Sequence, residues 1–428
     1  MFKQYVRRKL ENYVKRYFAK HPEVKLIAVV GSVGKTSTKR AVATLLSQRY
    51  RVRMHDGNHN TELSVPFGIL GITYPRNIRS IAAWMAVFAE ARRRINEPTD
   101  VDVIVQELGT DHPGDIAAFG KYLVPDIAIV TAITPEHMEF FGTIEAVAQE
   151  EMSVSNFSKF VLINHDDVEG RFADYENNPN FATYGLDGLA DYRFEKQEFT
   201  LDAGYSGNVI APEYPDAFAT TIRVFGEHSI RPVMGAVAAA AKIGLLSQEI
   251  VKGIAELRPV PGRMNVLSGI GGTTIIDDTY NSSPAAAAAA IQTLYLLGEA
   301  APQRIAVLGD MRELGATSQV EHEKLGALCD PNMLSWLVTV GPEMEKYLAP
   351  VARGRGCQVK STSNAIEAGK FVRSVTEEGA VILVKGSQNE IFLEETVKIL
   401  CDMSEDVELV RQSDQWRRIK DNFFSRFK

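Results

Sequence analysis

The chain of 428 residues has little cysteine: Cys329, Cys357 and Cys401 are all it carries, with no Cys-x-x-Cys spacing and no paired histidines beside them. That excludes a disulfide framework and a structural zinc centre as organising elements. A reducing cytoplasm is the compartment that fits. No segment approaches the run of roughly 18 apolar residues that a spanning helix needs. The N-terminus lacks the apolar core and small-residue cleavage site of a secretory signal. Excess positive charge is missing too: the net charge is −7, so nothing draws the chain as a whole to nucleic acid. Any phosphate binding must come from local geometry. With 45% hydrophobic and 24% charged residues, the composition is that of a globular protein long enough for two domains.

What is present centres on Leu26-Ile27-Ala28-Val29-Val30-Gly31-Ser32-Val33-Gly34-Lys35-Thr36-Ser37. An apolar β-branched run stops at two glycines, a lysine and hydroxyls, and Lys39 to Leu46 continue at helical spacing. This is a strand, a phosphate loop and a helix. The glycines let backbone N–H groups close around phosphate oxygens, and the helix N-terminus adds partial positive charge. Lys35 is placed to meet the β- and γ-phosphates, and Thr36 to offer its hydroxyl to Mg²⁺. The loop is shorter than the common form, because Val29 stands where a further glycine is usual.

Residues 1 to 20 read as an amphipathic helix, with Phe2, Tyr5, Val6, Tyr13, Val14, Tyr17 and Phe18 on one face and seven basic residues on the other. Such a composition suits a weak peripheral membrane contact. Docking on its own domain is the favoured reading. After the phosphate loop, Asp56 to Pro66 form a polar loop in which Asn58, Asn60 and Thr61 fit simple turn chemistry. A strand over Val101 to Leu108 brings Glu107 to the carboxyl edge of a parallel sheet, where open α/β sheets bind ligands. A strand over Asp126 to Val130 leads to His137, a lone loop histidine raised above the ordinary only by its company. Residues 226 to 246 read as a strong helix, and Pro259-Val260-Pro261-Gly262-Arg263 as a domain boundary. Beyond it strand and helix alternate again, implying a second parallel α/β unit. The tail from Arg411 is basic and carries Trp416, Phe423, Phe424 and Phe427, the same chemistry as the first helix.

In order along the chain, the phosphate loop is followed by Asn58-His59-Asn60-Thr61-Glu62, Glu107-Leu108-Gly109-Thr110-Asp111, Pro135-Glu136-His137 and Gly226-Glu227-His228. Pro261-Gly262-Arg263, Asp278-Thr279-Tyr280-Asn281-Ser282-Ser283-Pro284, Leu308-Gly309-Asp310-Met311-Arg312-Glu313 and Val384-Lys385-Gly386-Ser387 complete the series. This series resembles the Mur ligases, ATP-dependent amide-forming enzymes of cell-wall precursor synthesis. The stretches at 309 to 315 and 384 to 387 resemble the branch that adds D-alanyl-D-alanine.

The resemblance implies an α/β fold, with a P-loop central ATPase domain on a parallel sheet over residues 24–260 and a C-terminal Rossmann-like α/β domain over 261–404. A basic helix precedes them over 1–23, and a basic aromatic tail follows over 405–428. ATP and Mg²⁺ are the implied cofactors. A substrate carboxylate attacks the γ-phosphate, and an amine then displaces phosphate from the acyl phosphate. Residues Gly31 to Ser37, His228, Arg263, Asp278, Tyr280 and Asn281 are implied on the nucleotide, and Asn58, Asn60 and Thr61 on substrate. Lys35, Glu107, His137 and Lys385 are the implied catalytic groups, and Thr36, Glu107 and His137 the metal donors. Closure of the second domain would exclude water from the acyl phosphate.

Several departures carry expectations of their own. Glu151 stands fourteen residues after His137, where several Mur ligases have a carbamylated lysine, and is a candidate replacement with Glu150 beside it. Ser229 and Pro232 replace the family's adenine-contacting His-Asn and second asparagine. Gln388 and Asn389 stand where the branch has arginine and serine. Relatives carry an N-terminal domain that grips UDP, whereas 25 residues precede Leu26 here. The expectation is a partner protein that supplies UDP recognition, or a lipid-linked substrate met at the inner face of the membrane. A polyglutamating or amidotransferase-partnered ligase, and a non-catalytic ATP-binding scaffold, are the competing readings.

Overall fold

The computed structural model describes residues 2–55, 59–75, 77–200, 203–258, 260–298, 301–388, 390–402 and 407–427. Asn58, an expected substrate contact, and Asn389 lie outside them. The chain divides into two units, one comprising Met1–Thr134, Phe140–Arg223 and Ile230–Leu257, the other Pro135–Glu139, Val224–Ser229 and Arg258–Lys428.

The first unit is built on β1 (Lys25–Val30), β2 (Val52–Met54), β3 (Val103–Glu107), β4 (Ile127–Val130), β5 (Val161–Asn164), β6 (Phe181–Gly185), β7 (Tyr192–Thr200), β8 (Gly204–Ile210) and β9 (Phe218–Ile222). Among the described residues they form one nine-stranded sheet in the order β2-β3-β1-β4-β5-β6-β7-β8-β9. Pairing is parallel as far as β7 and antiparallel from β7 to β9. Strands β3, β4 and β5 are buried along their whole length, which is why they read as unbroken apolar runs. Strand β8 alternates and covers one face. The helix Lys35–Leu46 packs on the alanine-rich helix Ile230–Ile243, whose small side chains let the two backbones approach closely. Residues 227 to 229, expected to be part of that second helix, form a separate 3-10 turn.

The N-terminal helix, Phe2–Lys20, buries Val6, Leu10, Tyr13, Val14 and Tyr17 against the helices Val65–Leu70 and Ile81–Asn96. It docks on its own unit, with Tyr13 and Phe88 ring centroids 6.1 Å apart. The aromatic stripe is not a single face: Phe2 and Tyr5 stay exposed, and Leu10, unremarked in the sequence, takes the core position. No helix of the described residues is long and apolar enough to cross a membrane.

The second unit holds β10 (Asn265–Gly269), β11 (Thr273–Asp278), β12 (Arg304–Gly309), β13 (Trp336–Val340), β14 (Val359–Thr362) and β15 (Val381–Lys385), in the order β10-β11-β15-β12-β13-β14. Strand β10 pairs antiparallel with β11 and the remaining pairs are parallel. Both units are thus mostly parallel α/β layers. Register aligns Asp278 with Lys385, and Lys385 with Leu308, at one carboxyl edge. The basic aromatic tail is held by its own unit: the helix Asp414–Phe424 sets Trp416, Phe423 and Phe424 around the ring of Phe392. Lys420 is buried against Glu394 and Glu395, so the tail's chemistry differs from that of the exposed N-terminal residues.

Candidate active site

The loop after β1 is shaped by two left-handed glycines, Gly31 at φ 121° and Gly34 at φ 89°. A β-carbon on Gly31 would lie 2.3 Å from the Thr131 hydroxyl and 2.8 Å from the Ala132 nitrogen, so only glycine fits this cradle. The loop is fastened to the segment leaving β4. Thr131 Oγ1 lies 3.0 Å from the Val30 carbonyl and 2.6 Å from that of Val33, and donates to them. Ser32 donates its hydroxyl to the Thr134 carbonyl and accepts from the Thr134 N–H, each at 3.1 Å. Lys35 Nζ donates to the carbonyls of Gly31 and Ser32, folding the ammonium over the loop.

The edge of β3 meets this loop because β3 pairs with β1, placing Glu107 opposite Val29. The Thr36 hydroxyl donates to Glu107 Oε2 at 3.1 Å. Lys39 Nζ sits 3.5 Å from the same oxygen, and Asn60 Nδ2 lies 3.4 Å from Oε1. Glu107 and Lys39 are each 3% exposed, which makes this a buried, charge-balanced cluster. Next to it the imidazole of His59 is pushed down to about 4 by burial and by the neighbouring His55 and Lys39. Thr61, by contrast, is exposed, with its hydroxyl 2.9 Å from that of Ser64.

The two glutamates at 150 and 151 separate cleanly. Glu151 accepts from the Gly31 N–H at 2.8 Å and is buried against the phosphate loop itself. Glu150 accepts from the N–H groups of Gly114 and Ile116, each at 2.6 Å, and so secures the turn into the helix Asp115–Phe119.

In the second unit, Asp278 Oδ1 accepts from the Met264 N–H at 3.2 Å, and Oδ2 accepts from Lys385 Nζ at 2.6 Å. Lys385 also donates to the Asn281 carbonyl at 3.0 Å. This buried ammonium therefore holds the segment after β11 in place. The Arg263 guanidinium lies 4.2 Å from the centre of the Tyr280 ring, a cation–π contact. Asp277, buried beside them, is pushed up to about 6 by desolvation, against the bonds it accepts from Thr279. His137, at φ 52°, belongs by its contacts to this unit, and its Nδ1 lies 3.1 Å from Glu313. That bond holds the Glu313 carboxyl below its usual range. His228 lies in the Glu227–Ser229 turn of the same unit.

The structure thus brings Gly31 to Ser37, Asn60, Glu107 and Glu151 together in one unit, and Arg263, Asp278, Tyr280, Asn281 and Lys385 together in the other. Thr36 and His137 fall in different units. Thr131, Lys39 and Arg411 were not marked by the sequence. Arg411 grips Glu394 through two bonds and donates to the Thr279 and Tyr280 carbonyls at 2.6 and 3.0 Å. Among the described residues no group of three His, Cys, Asp or Glu side chains is arranged for a metal. A hydroxyl and a carboxylate at the mouth of a glycine cradle nonetheless form the donor set that suits Mg²⁺ completed by phosphate oxygens.

A strand running into a glycine-lysine-threonine loop at the start of a helix, in a parallel α/β unit, is the architecture of a nucleotide-binding enzyme. The chain matches the Mur ligase middle domain over residues 29–240 and the Mur ligase glutamate ligase domain over 262–388, and it belongs to the Mur ligase family. Among its relatives is the UDP-N-acetylmuramoyl-tripeptide–D-alanyl-D-alanine ligase of Bacillus subtilis, 28% identical over 392 residues that cover 88% of this chain and 76% of that one. In fold it is similar to MurF from Acinetobacter baumannii, with a TM-score of 0.75 at 23% identity over 92% of this chain and 80% of that one. MurF ligase from Thermotoga maritima, solved in complex with ADP, gives a TM-score of 0.74 at 24% identity over 92% and 83%.

Proposed function

We propose that the chain joins D-alanyl-D-alanine to the carboxylate of a muramoyl tripeptide precursor in the cytoplasm, at the expense of ATP. The observation that carries the ATP-dependent part of this reading is the Thr36–Glu107 contact at a cradle that admits only glycine at position 31, and the similarity to a D-alanyl-D-alanine ligase over 88% of the chain supports the substrates. The phosphates lie on the N-terminus of the helix Lys35–Leu46, where backbone N–H groups and the helix dipole favour anions. Lys35 leaves the loop carbonyls for the phosphate oxygens and neutralises charge as the γ-phosphoryl group moves. Thr36 and Glu107 would hold Mg²⁺, which supplies further charge neutralisation on those oxygens. Lys39 balances Glu107, and Asn60 orients it.

In the first step a carboxylate oxygen of the peptide bonds to the γ-phosphorus and ADP departs. In the second the dipeptide amine attacks the acyl carbon, loses a proton, and expels phosphate. Glu151 and His137 are the remaining donors proposed for metal, and Glu151 also fixes the loop backbone. Arg263, Asp278, Tyr280, Asn281, Lys385 and His228 are proposed for nucleotide or substrate contact, with Asp278 positioned by Lys385.

The test is release of ADP and phosphate from ATP in the presence of UDP-muramoyl tripeptide and D-alanyl-D-alanine. Turnover needs both acceptor and amine, L-glutamate does not replace the dipeptide, and Lys35→Ala abolishes it. ATP cleavage indifferent to both substrates rules the proposal out.

A further inference from the structure

We propose that the face formed by the start of the N-terminal helix, Tyr74 and residues 77 to 85 docks on an anionic phospholipid bilayer. Large apolar side chains stand out from it: Phe2 is 49% exposed, Tyr5 56%, Ile78 56%, Ile81 70% and Met85 52%. Buried Trp84 ties Phe2, Tyr74 and Ile78 together, and Ile81 and Met85 flank it on the same helix. Its ring lies 6.4 Å from that of Phe2 and 6.1 Å from that of Tyr74, and its Nε1 donates to the Ile78 carbonyl at 2.9 Å. Ile81 and Met85 lie one helical turn apart at the rim of the helix face that buries Trp84, Val87 and Phe88, and both stay exposed. The core is therefore already served, and the outward residues fill no internal need. Scattered apolar residues on a surface mean little, but a contiguous group of this kind marks a contact surface.

The charge around the patch selects the partner. Lys3, Arg8 and Arg79 are exposed beside it, and Lys9 reaches over the Tyr5 and Phe88 rings. From Leu63 to Ala89 there is no aspartate or glutamate, and Glu11, the single acid of the N-terminal helix, is paired with Arg7 at 3.3 Å. In a chain of net charge −7 this concentration of cations around exposed aromatics is local and one-sided. A second copy applied patch to patch would set these cations against each other. An anionic bilayer supplies acid and hydrocarbon in one surface, with aromatic rings at the headgroup level and lysine and arginine on the phosphates. One such helix binds weakly, whereas the two elements fixed together by Trp84 present a larger area at one level.

The test is cosedimentation of the full chain with phosphatidylcholine vesicles, with and without phosphatidylglycerol, at low and high salt. Binding to the anionic vesicles exceeds binding to the neutral ones by about tenfold and falls with salt. Ile81→Glu/Met85→Glu and, separately, Lys3→Glu/Arg8→Glu each reduce it by about tenfold, with melting temperature and ATP turnover in solution unchanged. Equal binding to both vesicle types, or binding that both variants retain, overturns the proposal. So does a concentration-dependent dimer that Ile81→Glu/Met85→Glu abolishes while vesicles remain unbound.

Discussion

Thr131→Val replaces one hydroxyl by a methyl group in a residue that is 4% exposed. The Val30 carbonyl keeps a partner, since it also accepts the Thr131 N–H at 2.9 Å. The Val33 carbonyl, 2.6 Å from the hydroxyl, loses this bond in the middle of the phosphate loop. Losing such a bond costs about 1–2 kcal/mol. That cost falls on the loop conformation that closes around phosphates, so the binding-competent fraction drops and nucleotide affinity weakens by roughly fivefold to thirtyfold. Titration calorimetry with ADP reads this directly, and a thermal melt should show a loss of only a few degrees. Thr131→Ser keeps the hydroxyl and should bind nearly as the parent does. If the valine variant binds ADP unchanged, or the serine variant binds as poorly as the valine one, the hydroxyl is not what holds the loop.

Lys385→Met leaves Asp278 buried without its ammonium and should lower unfolding stability by about 3–5 kcal/mol in urea, while Asp278→Asn/Lys385→Met recovers part of that loss. Asp277 titrates at about 6 in the fold against an ordinary 3.8, because burial favours its neutral form. Between those values the folded state binds more protons than the unfolded one, so stability declines as pH rises from about 4 to about 6 and then levels off. Asp277→Asn removes that slope from urea midpoints measured across the range. Arg411→Ala leaves Glu394 with less charge compensation and frees the Thr279 and Tyr280 carbonyls, so the C-terminal helix should loosen. Trp416 fluorescence and limited proteolysis report that loosening, and an unchanged cleavage pattern would show that the helix is held without Arg411, by its aromatic contacts and the Lys420 ion pairs.

The chemistry of single segments was legible in the chain itself. Glycine spacing, a β-branched run and a helical period mark Gly31 to Thr36 as a phosphate loop, since each signal acts through backbone torsion or burial within a few residues. The alternation of apolar strands and helices likewise set out two parallel α/β units. What the chain could not display is which distant side chains reach that loop. Thr131 and Glu151 reach it from the segments that follow β4, and Glu107 meets Thr36 and Lys39 from β3, because β4 and β3 flank β1, an order that local spacing does not encode. The same holds at both ends of the molecule. Two stretches of like composition diverged because Phe392, Glu394 and Glu395 receive the tail, while Phe2 and Tyr5 remain exposed among the described residues. Sequence settles what a segment can do; the packing of strands far apart in the chain decides what it meets.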